Sequence, residues 1–238
     1  MLALQGVSWL IAAAAGSILP MLHVSTALIA ILIVGGLIVT MGASAWQISQ
    51  AHFYREEELR RLRAELARER RAHAEETIQI LLDQFVKIAR RAATRPDINV
   101  RSCVFLPQGN RLAIVFHSNM RDAPDLGISF ERWQGCTGQA WADGRQTMGD
   151  LSRATEADLH ERWKLSPMQI RITNHLKSIL STPIFHPQNS DIILGVLSID
   201  SDADMSESRF DQAEFLDAAL QVAEALAHLL LVGGIAIS

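Results

Sequence analysis

Three of the five tryptophans in this 238-residue chain fall between residues 133 and 163, at Trp133, Trp141 and Trp163. Aromatic side chains gathered in one stretch are typical of a concave ligand site with an apolar wall. They are equally typical of core anchors, because large rings contribute most of the buried area of a small domain. The sequence therefore leaves both interpretations of these three residues open.

Three basic side chains, Arg171, His175 and Lys177, follow the tryptophans and could present positive charge to a small anionic ligand such as a nucleotide. Alternate residues on a strand share a face, so His175 and Lys177 are predicted to point the same way. The alternative is an exposed strand edge. A small anionic ligand held by these six residues is thus one hypothesis for this chain.

The two cysteines, Cys103 and Cys136, lie at a spacing that fits neither a disulfide framework nor a metal site, which agrees with a reducing compartment. Cys136 has no adjacent basic residue that would lower its pKa, so a redox role has little support. We find no phosphate-binding glycine loop and no nucleophile elbow. We therefore expect no catalytic residues, no metal, no cofactor and no enzymatic activity.

The acidic stretch from Asp200 to Glu207 resembles a calcium-binding loop in the spacing of its first acidic residues. An EF-hand needs Gly at its sixth position and Glu at its twelfth, but here these are Met205 and Asp211. The stretch is better interpreted as a solvated acidic loop that leads into a helix, with Ser206 or Ser208 as the cap.

The first 54 residues contain no Asp, Glu, Lys or Arg, and this asymmetry divides the chain into a membrane part and a water-soluble part. Residues 2–22 and 27–46 are each long and apolar enough to cross a bilayer. The short connection between them predicts a two-helix transmembrane hairpin over residues 1–46. A cleaved signal peptide is disfavoured, because residues 1–10 carry no basic group.

The basic residues that follow the second span predict the orientation of the chain. Seven arginines lie between residues 55 and 71, and no Lys or Arg precedes the span. The positive-inside rule then places the soluble domain in the cytoplasm, which predicts a multi-pass protein of the inner (cytoplasmic) membrane.

Residues 47–95 predict one long helix, a stalk without Gly or Pro and rich in Ala, Glu, Arg and Leu. Leu59, Leu62 and Leu66 follow coiled-coil spacing, and a second run begins at Leu81 and Phe85 in a shifted phase. The seam is interrupted between them, which predicts a short, imperfect coiled coil and a homodimer. The alternative is a charged spacer.

The charge of the soluble part is divided unevenly. Residues 55–95 carry a net charge of +3 and residues 96–238 carry −7, which together give the −4 of the whole chain. A basic stalk fits anionic lipid. An acidic head argues against nucleic acid as a partner, since that would need a basic surface.

Residues 96–238 are long enough for one domain, and Pro96 is expected to end the stalk. A hairpin is predicted from residue 103 to residue 116, and two further strands over 175–185 and 192–199. Helices are expected over 151–163 and 210–231. This order predicts an α+β domain, with an antiparallel sheet flanked by helices.

Four stretches, taken in order, resemble the pattern of a GAF domain, the small-ligand sensor module of many signalling proteins. They are Gly135–Trp141, a glycine turn before a short helix; Leu176–Phe185, a strand with a proline; Gly195–Asp200, the next strand; and Phe210–Leu216, the start of the last helix. The resemblance covers residues 98–231 and implies a GAF-like sensor domain whose ligand lies near Trp133, Trp141 and Trp163.

The chain also departs from the family in ways that bear on its ligand. The Asn-Lys…Phe…Asp-Glu signature of cyclic-nucleotide-binding members is incomplete, because Asn174 and Lys177 are not adjacent and Phe215 follows Glu214. The cysteines do not match the context for bilin attachment. They also do not match the several cysteines of the GAF-type enzymes that reduce free methionine sulfoxide.

Together these features predict a membrane-anchored cytoplasmic GAF-type sensor or regulatory protein. A ligand would bias two arrangements of a dimer, and an unknown protein partner or the membrane hairpin itself would respond. One alternative is a ligand-free membrane-bound scaffold or dimerisation module. Another, by analogy with anti-phage defence, is a two-span effector that disrupts the membrane and is gated by a nucleotide signal.

Overall fold

The computed structural model describes residues 26–95, 97–120 and 124–235. They belong to two compact units, one ending at Ala64 and one beginning at Glu65. Helix α1, Thr26–Ala92, contributes to both units. The predicted first span over residues 2–22 and the predicted break at Pro96 lie outside the described residues.

In the first unit, residues 31–46 of helix α1 carry exposed apolar side chains on all sides. Its large side chains from Ile31 to Trp46 are 56–71% exposed, so no polar face is present for water. The hydroxyl of Thr40 donates to the carbonyl of Gly36 at 3.0 Å, and that of Ser44 donates to the carbonyl of Thr40 at 2.9 Å. The helix thus satisfies its own polar groups, as a hydrocarbon environment requires.

Two described helices are long and apolar enough to cross a bilayer, by length and composition alone. One is α1, whose apolar part is not buried against any other described element. This helix contains the predicted span Ala27–Trp46. The other, Ala213–Val232, packs one face into the domain core, and core helices of soluble proteins pass the same test. The composition therefore indicates membrane association through α1, whereas a multi-pass arrangement at the inner membrane stays a prediction.

In the second unit, six antiparallel strands form one sheet in the order β3-β2-β1-β6-β5-β4. The strands are β1 (Val100–Gln108), β2 (Arg111–Ser118), β3 (Ser129–Glu131), β4 (Thr147–Asp150), β5 (Ser178–His186) and β6 (Asn189–Ser201). Strands β1 and β2 form a hairpin whose turn places Gly109 at φ 63°. Strand β1 also pairs with β6, so distant segments of the chain meet at the centre of the sheet.

Five further helices surround this sheet: α2 (Gly135–Asp143), α3 (Glu156–Glu161), α4 (Pro167–Thr173), α5 (Met205–Ser208) and α6 (Ala213–Val232). Helices α3 and α4 both begin with capping boxes, built on Thr155 and Ser166. These caps allow two very short helices to start at defined residues. The antiparallel α+β architecture predicted from the sequence is confirmed.

One face of the sheet, which we call the proximal face, packs against α6 and the later turns of α1. The phenyl rings of Phe85 and Phe215 stack with centroids 5.4 Å apart, and Phe210 stacks on Phe215 at 5.1 Å. From α1, the fully buried apolar side chains are Ile78, Leu82, Phe85 and Ala89. The domain core thus includes residues of the segment predicted to be stalk.

The buried face of α1 includes Phe85 of the second predicted run (Leu81, Phe85, Ile88 and Ala92) but otherwise follows different residues. Leu81 is only partly buried and Ile88 is 45% exposed, whereas Ile78 and Leu82 are fully buried. The reason is that this part of α1 packs against a sheet and a helix of its own domain, so its apolar stripe follows that surface instead of a heptad seam.

The other predicted elements lie close to the observed ones. The strand expected from His175 begins three residues later, at Ser178, because His175 lies in the turn after α4. The helix expected over residues 151–163 is only Glu156–Glu161. The cap of α5 is the carboxylate of Asp204, which accepts the backbone N–H of Glu207 at 2.9 Å, rather than Ser206 or Ser208.

Candidate functional site

The opposite side of the sheet, which we call the distal face, is covered by α2 to α4 and the segment between β2 and β3. Strand alternation directs Val100 and Val104 to the proximal core and Cys103 and Phe105 to a second apolar cluster, the distal cluster. The buried members of the distal cluster are Cys103, Phe105, Leu112, Met120, Ile128, Phe130, Cys136, Ala140, Trp141, Trp163, Leu165, Ile170 and Val196. Short helices and loops on a rigid sheet are where binding residues are usually found. The distal face is therefore the candidate location of a binding site.

A buried charge cluster occupies one end of the distal face. Arg101 on β1 donates from Nε to Asp200 on β6 at 2.7 Å, and the two residues are direct partners in the sheet. Its two terminal nitrogens donate to the two carboxylate oxygens of Asp125, at 3.1 and 2.8 Å. All three residues are at most 5% exposed. The guanidinium is thus held by one carboxylate from the sheet and one from the turn after β2.

The cluster carries two carboxylates for one guanidinium, and this imbalance affects its titration. Burial raises the pKa of Asp200 above its ordinary value, and the neighbouring Arg101 only partly opposes this. Burial also opposes the charge on Arg101, but Asp200 and Asp125 together raise its pKa, so it stays protonated. The result is an excess of negative charge in a dry environment, which favours proton uptake at Asp200.

A row of hydroxyl groups continues across the distal face from the cluster. Cys103 lies opposite Ser198, which lies opposite Ser181. The hydroxyls of Ser181 and Ser198 are 2.9 Å apart, and that of Thr137 on α2 is 3.3 Å from Ser181. These three hydroxyls are buried and bond one another, so the row is a satisfied polar network.

Both cysteines are free and buried, and they lie in different surroundings on the distal face. Burial raises the pKa of the Cys103 thiol well above its usual value. The charges of Asp200 and Asp125 raise this pKa further, whereas Arg101 lowers it. Burial likewise raises the pKa of Cys136, and the charge of Arg162 only partly opposes this. Both side chains are therefore unreactive thiols in the native protein.

The structure separates the three tryptophans. Trp141 and Trp163 are 6% and 5% exposed and belong to the distal cluster. The guanidinium of Arg132 lies 4.6 Å from the ring centroid of Trp141, and that of Arg162 lies 5.2 Å from Trp163. These two rings thus pack inward while their outer sides are covered by basic groups.

Trp133, by contrast, is 48% exposed and has a left-handed backbone with φ 70°. A bulky residue rarely adopts this conformation. It is held by the bond from its N–H to the carbonyl of Gly138 at 2.9 Å. A Cβ on Gly138 would collide with the carbonyl of Glu131, so glycine is required for this close approach.

The distal cluster is closely packed beside Trp163. A Cβ on Gly149 would lie 2.8 Å from the sulfur of Cys136 and 3.3 Å from the ring of Trp163. Glycine at this point of β4 therefore lets α2 and the tryptophan approach the sheet. Such packing leaves little space for a ligand beside Cys136.

The three basic residues of the predicted ligand site have exposed side chains. Arg171 lies on α4, His175 in the turn that follows, and Lys177 just before β5. The backbone of Lys177 is bonded on both sides, its N–H to Ser201 at 2.8 Å and its carbonyl to Leu151 at 2.7 Å. His175 is close enough to Asp200 to act on the pKa of that carboxyl. Ligand binding by these residues stays a prediction.

Sequence reasoning missed the cluster of Arg101, Asp125 and Asp200. One signal was present: Arg101 follows Val100 and precedes Val104 in a strand that is otherwise buried, and a buried arginine needs a partner. Within the described ranges, no group of His, Cys, Asp and Glu could hold a metal ion.

A groove of about 230 Å³ lies elsewhere, between the end of α1 and the start of α6. It is lined by Ile88, Ala92, Arg209, Gln212, Glu214, Phe215 and Ala218. The lining combines apolar side chains with one charge of each sign, a mixture that also occurs at protein–protein interfaces.

No protein-family model matches this chain, and no curated protein matches it. Solved structures do resemble it. A type II free methionine-R-sulfoxide reductase from Thermoplasma acidophilum is 11% identical, with a TM-score of 0.48 over 69% of this chain and 98% of the reductase. The GAF domain region of a Geobacter sulfurreducens PCA protein is 16% identical, with a TM-score of 0.47 over 68% and 97%.

A third similar structure, the free methionine-R-sulfoxide reductase of Staphylococcus aureus, is 20% identical, with a TM-score of 0.41 over 66% of this chain and 92% of that one. The expectation that this chain is not an enzyme is corrected by these reductases, because enzymes occur among the structures it resembles. At such scores the likenesses identify no ligand, activity or partner. Their names agree with the GAF-like fold that the sequence motifs predict.

Proposed function

We propose that this chain is a membrane-held regulatory protein whose GAF-like domain binds a small ligand on its distal face. The observation that carries the proposal is the buried cluster of Arg101, Asp125 and Asp200. A buried ion cluster is an inefficient way to stabilise a fold, because well-packed apolar side chains of similar volume do as well or better. Its presence under a turn, next to a buried thiol, favours a binding role.

The second support is that helix α1, whose later turns pack into this domain, carries exposed apolar side chains on all sides over residues 31–46. Regulation from such a position requires two states that a ligand binds with different affinity. A homodimer, formed through the exposed leucines of α1 and the groove beside α6, is our proposal for how these states differ. A protein partner or the membrane segment responds to the change in dimer arrangement.

A second candidate function is a ligand-free scaffold, and one observation favours it. The distal face around Gly149, Cys136 and Trp163 is packed too closely for a ligand. In a scaffold the charge cluster would only fasten the turn that contains Asp125 to the sheet. The two functions therefore differ in whether the distal face binds anything.

The test is thermal unfolding of the full chain in detergent with a panel of nucleotides and carboxylate metabolites. A ligand that binds only the folded protein raises the free energy of unfolding by about 2.7 kcal/mol at a hundredfold excess over Kd, so the melting temperature increases with ligand concentration. Arg101→Met is the matched variant, since it keeps an unbranched side chain and removes the charge. A saturable shift in the native chain that Arg101→Met lacks supports the sensor; no shift with any compound favours the scaffold.

A further inference from the structure

The two carboxylates that bind Arg101 are attached to the fold in different ways. Asp200 is the cross-strand partner of Arg101 at the centre of the sheet, and its bond to Nε orients the guanidinium. Asp125 lies in the turn of residues 124–127, where its carbonyl accepts the N–H of Ile128 at 3.0 Å. The sheet thus fixes the orientation of the guanidinium, whereas the carboxylate bound to its two terminal nitrogens, that of Asp125, comes from a turn.

The outer edge of the guanidinium, formed by its two terminal nitrogens, has the geometry of a carboxylate receptor. The two terminal nitrogens of Arg101 bind the two oxygens of Asp125 side by side, at 3.1 and 2.8 Å. This paired arrangement is the one that arginine uses to recognise free carboxylates and phosphates. The burial cost of the guanidinium has already been met by the fold, since Arg101 is 4% exposed.

We propose that the outer edge of Arg101 is a carboxylate-binding subsite that the chain's own Asp125 occupies in this structure, and that a small monocarboxylate ligand binds by replacing Asp125. The inference rests on the proposed sensor function and names the ligand class of its site. Exchange of one carboxylate for another leaves the charge of the cluster unchanged. A phosphate dianion would add a negative charge beside Asp200, so phosphate binds more weakly.

The chain contains its own reporter for this exchange. Cys103 is 2% exposed, and the charges of Arg101, Asp125 and Asp200 all affect the pKa of its thiol. Cys136 is 4% exposed, and its pKa is affected by the charge of Arg162 and not by the charges of the cluster. Departure of Asp125 from the cluster would open a path to Cys103 and leave Cys136 covered, whereas general unfolding would expose both thiols.

The experiment uses the full chain in detergent, with alkylation of each cysteine followed by mass spectrometry. Acetate, formate and phosphate are the probes, and sodium chloride at equal ionic strength is the control. Acetate and formate are expected to speed alkylation of Cys103 saturably, by roughly tenfold, through the local opening that replacement requires, with Cys136 unchanged. Phosphate is expected to act less, and Arg101→Met is expected to abolish the response.

Asp125→Asn provides the second arm, because an amide cannot accept both guanidinium hydrogens. In this variant Cys103 should react faster without any probe, and acetate should raise the melting temperature more than in the native chain. The proposal is overturned if the carboxylates act no more strongly than chloride, or if Cys103 and Cys136 always react together. A nucleotide that stabilises the native chain while acetate has no effect would overturn this inference alone and leave the sensor function standing.

Discussion

Gly233 lies directly against Ala74, so closely that a Cβ on Gly233 would be 2.7 Å from the Cβ of Ala74. Gly233 ends helix α6, and Gly234 follows with φ 59°. The N–H of Ile235 then returns to the carbonyl of Leu230 at 2.9 Å. This turn brings the end of α6 onto α1, and the absence of a side chain at Gly233 permits the contact.

The first prediction follows from this contact. Gly233→Ala is expected to lower the free energy of unfolding by roughly 1–3 kcal/mol, because an extra methyl must be accommodated between two packed helices. Denaturant titration of the full chain in detergent measures this loss. Ala74→Gly combined with Gly233→Ala is the control, since it removes the opposing methyl. Strictly additive losses in the double variant would show that the two residues do not meet.

The second prediction concerns the pH dependence of stability. The pKa of Asp200 is higher in the folded protein than its ordinary value of 3.8, because burial disfavours the charged form. Such a group binds its proton more tightly when folded, so its contribution to stability is complete below pH 3.8 and is lost as the pH rises through the folded pKa.

The measurement compares the native chain with Asp200→Asn, which cannot titrate at this position. The stability of the native chain relative to this variant should increase as the pH is lowered from neutrality toward 3.8. A difference that shrinks over this range would mean that Asp200 is better ionised in the fold than in the unfolded chain, contrary to the effect of burial.

The third prediction tests the dimer. Leu59 and Leu62 are 45% and 55% exposed on one side of α1, with the three-residue spacing of a helix interface. Leu62→Asp is expected to raise the dimer dissociation constant by roughly tenfold or more, since a polar group would be buried. Light scattering of the full chain in detergent reports the mass.

Ala64→Asp is the matched control for the dimer. It introduces the same charge on α1, and by helical geometry it lies on the side opposite Leu59 and Leu62. Equal weakening by both variants would point to a general charge effect, and an unchanged mass with Leu62→Asp would place the dimer contact elsewhere.

The fourth prediction tests membrane insertion of the apolar part of α1. Residues 27–46, placed in a host protein with glycosylation sites on both sides, should insert efficiently into microsomes. Leu37→Arg near the centre should reduce insertion by about 2.5–3.5 kcal/mol, whereas a charge near the helix end can reach the interface. Trp46→Arg is therefore the control with the smaller effect. Failure of the unaltered segment to insert would remove the basis for membrane anchoring.

Local patterns in the sequence predicted the parts of the fold that depend on near neighbours. The hairpin of β1 and β2, the strand that contains Pro183 and the last helix all follow from apolar runs and turn residues. The charge cluster could not be predicted in this way. Arg101 is 24 residues from Asp125 and 99 from Asp200, and periodicity contains no information about such distant pairs.

The same limit explains the differences at the predicted ligand residues. Trp133, Trp141 and Trp163 are equally aromatic in the sequence, but only the last two are buried, because Trp133 lies in the turn before α2, which the bond to Gly138 holds in place. Which face of α1 is buried likewise depends on the surface that packs against it. Composition predicted a long helix there and could not distinguish a dimer seam from a domain core.

The inclusion of α1 in the proximal core also has a consequence for synthesis of the chain. Leu82 leaves the ribosome about 140 residues before Leu226, with which it shares the core. At translation rates of ~5–20 residues per second, this apolar face stays uncovered for roughly 7 to 28 seconds. During that interval it follows, in the same chain, the apolar segment that we predict to span the membrane. The nascent chain therefore exposes an apolar surface that a chaperone can bind, and this surface is covered only when the last helix is complete.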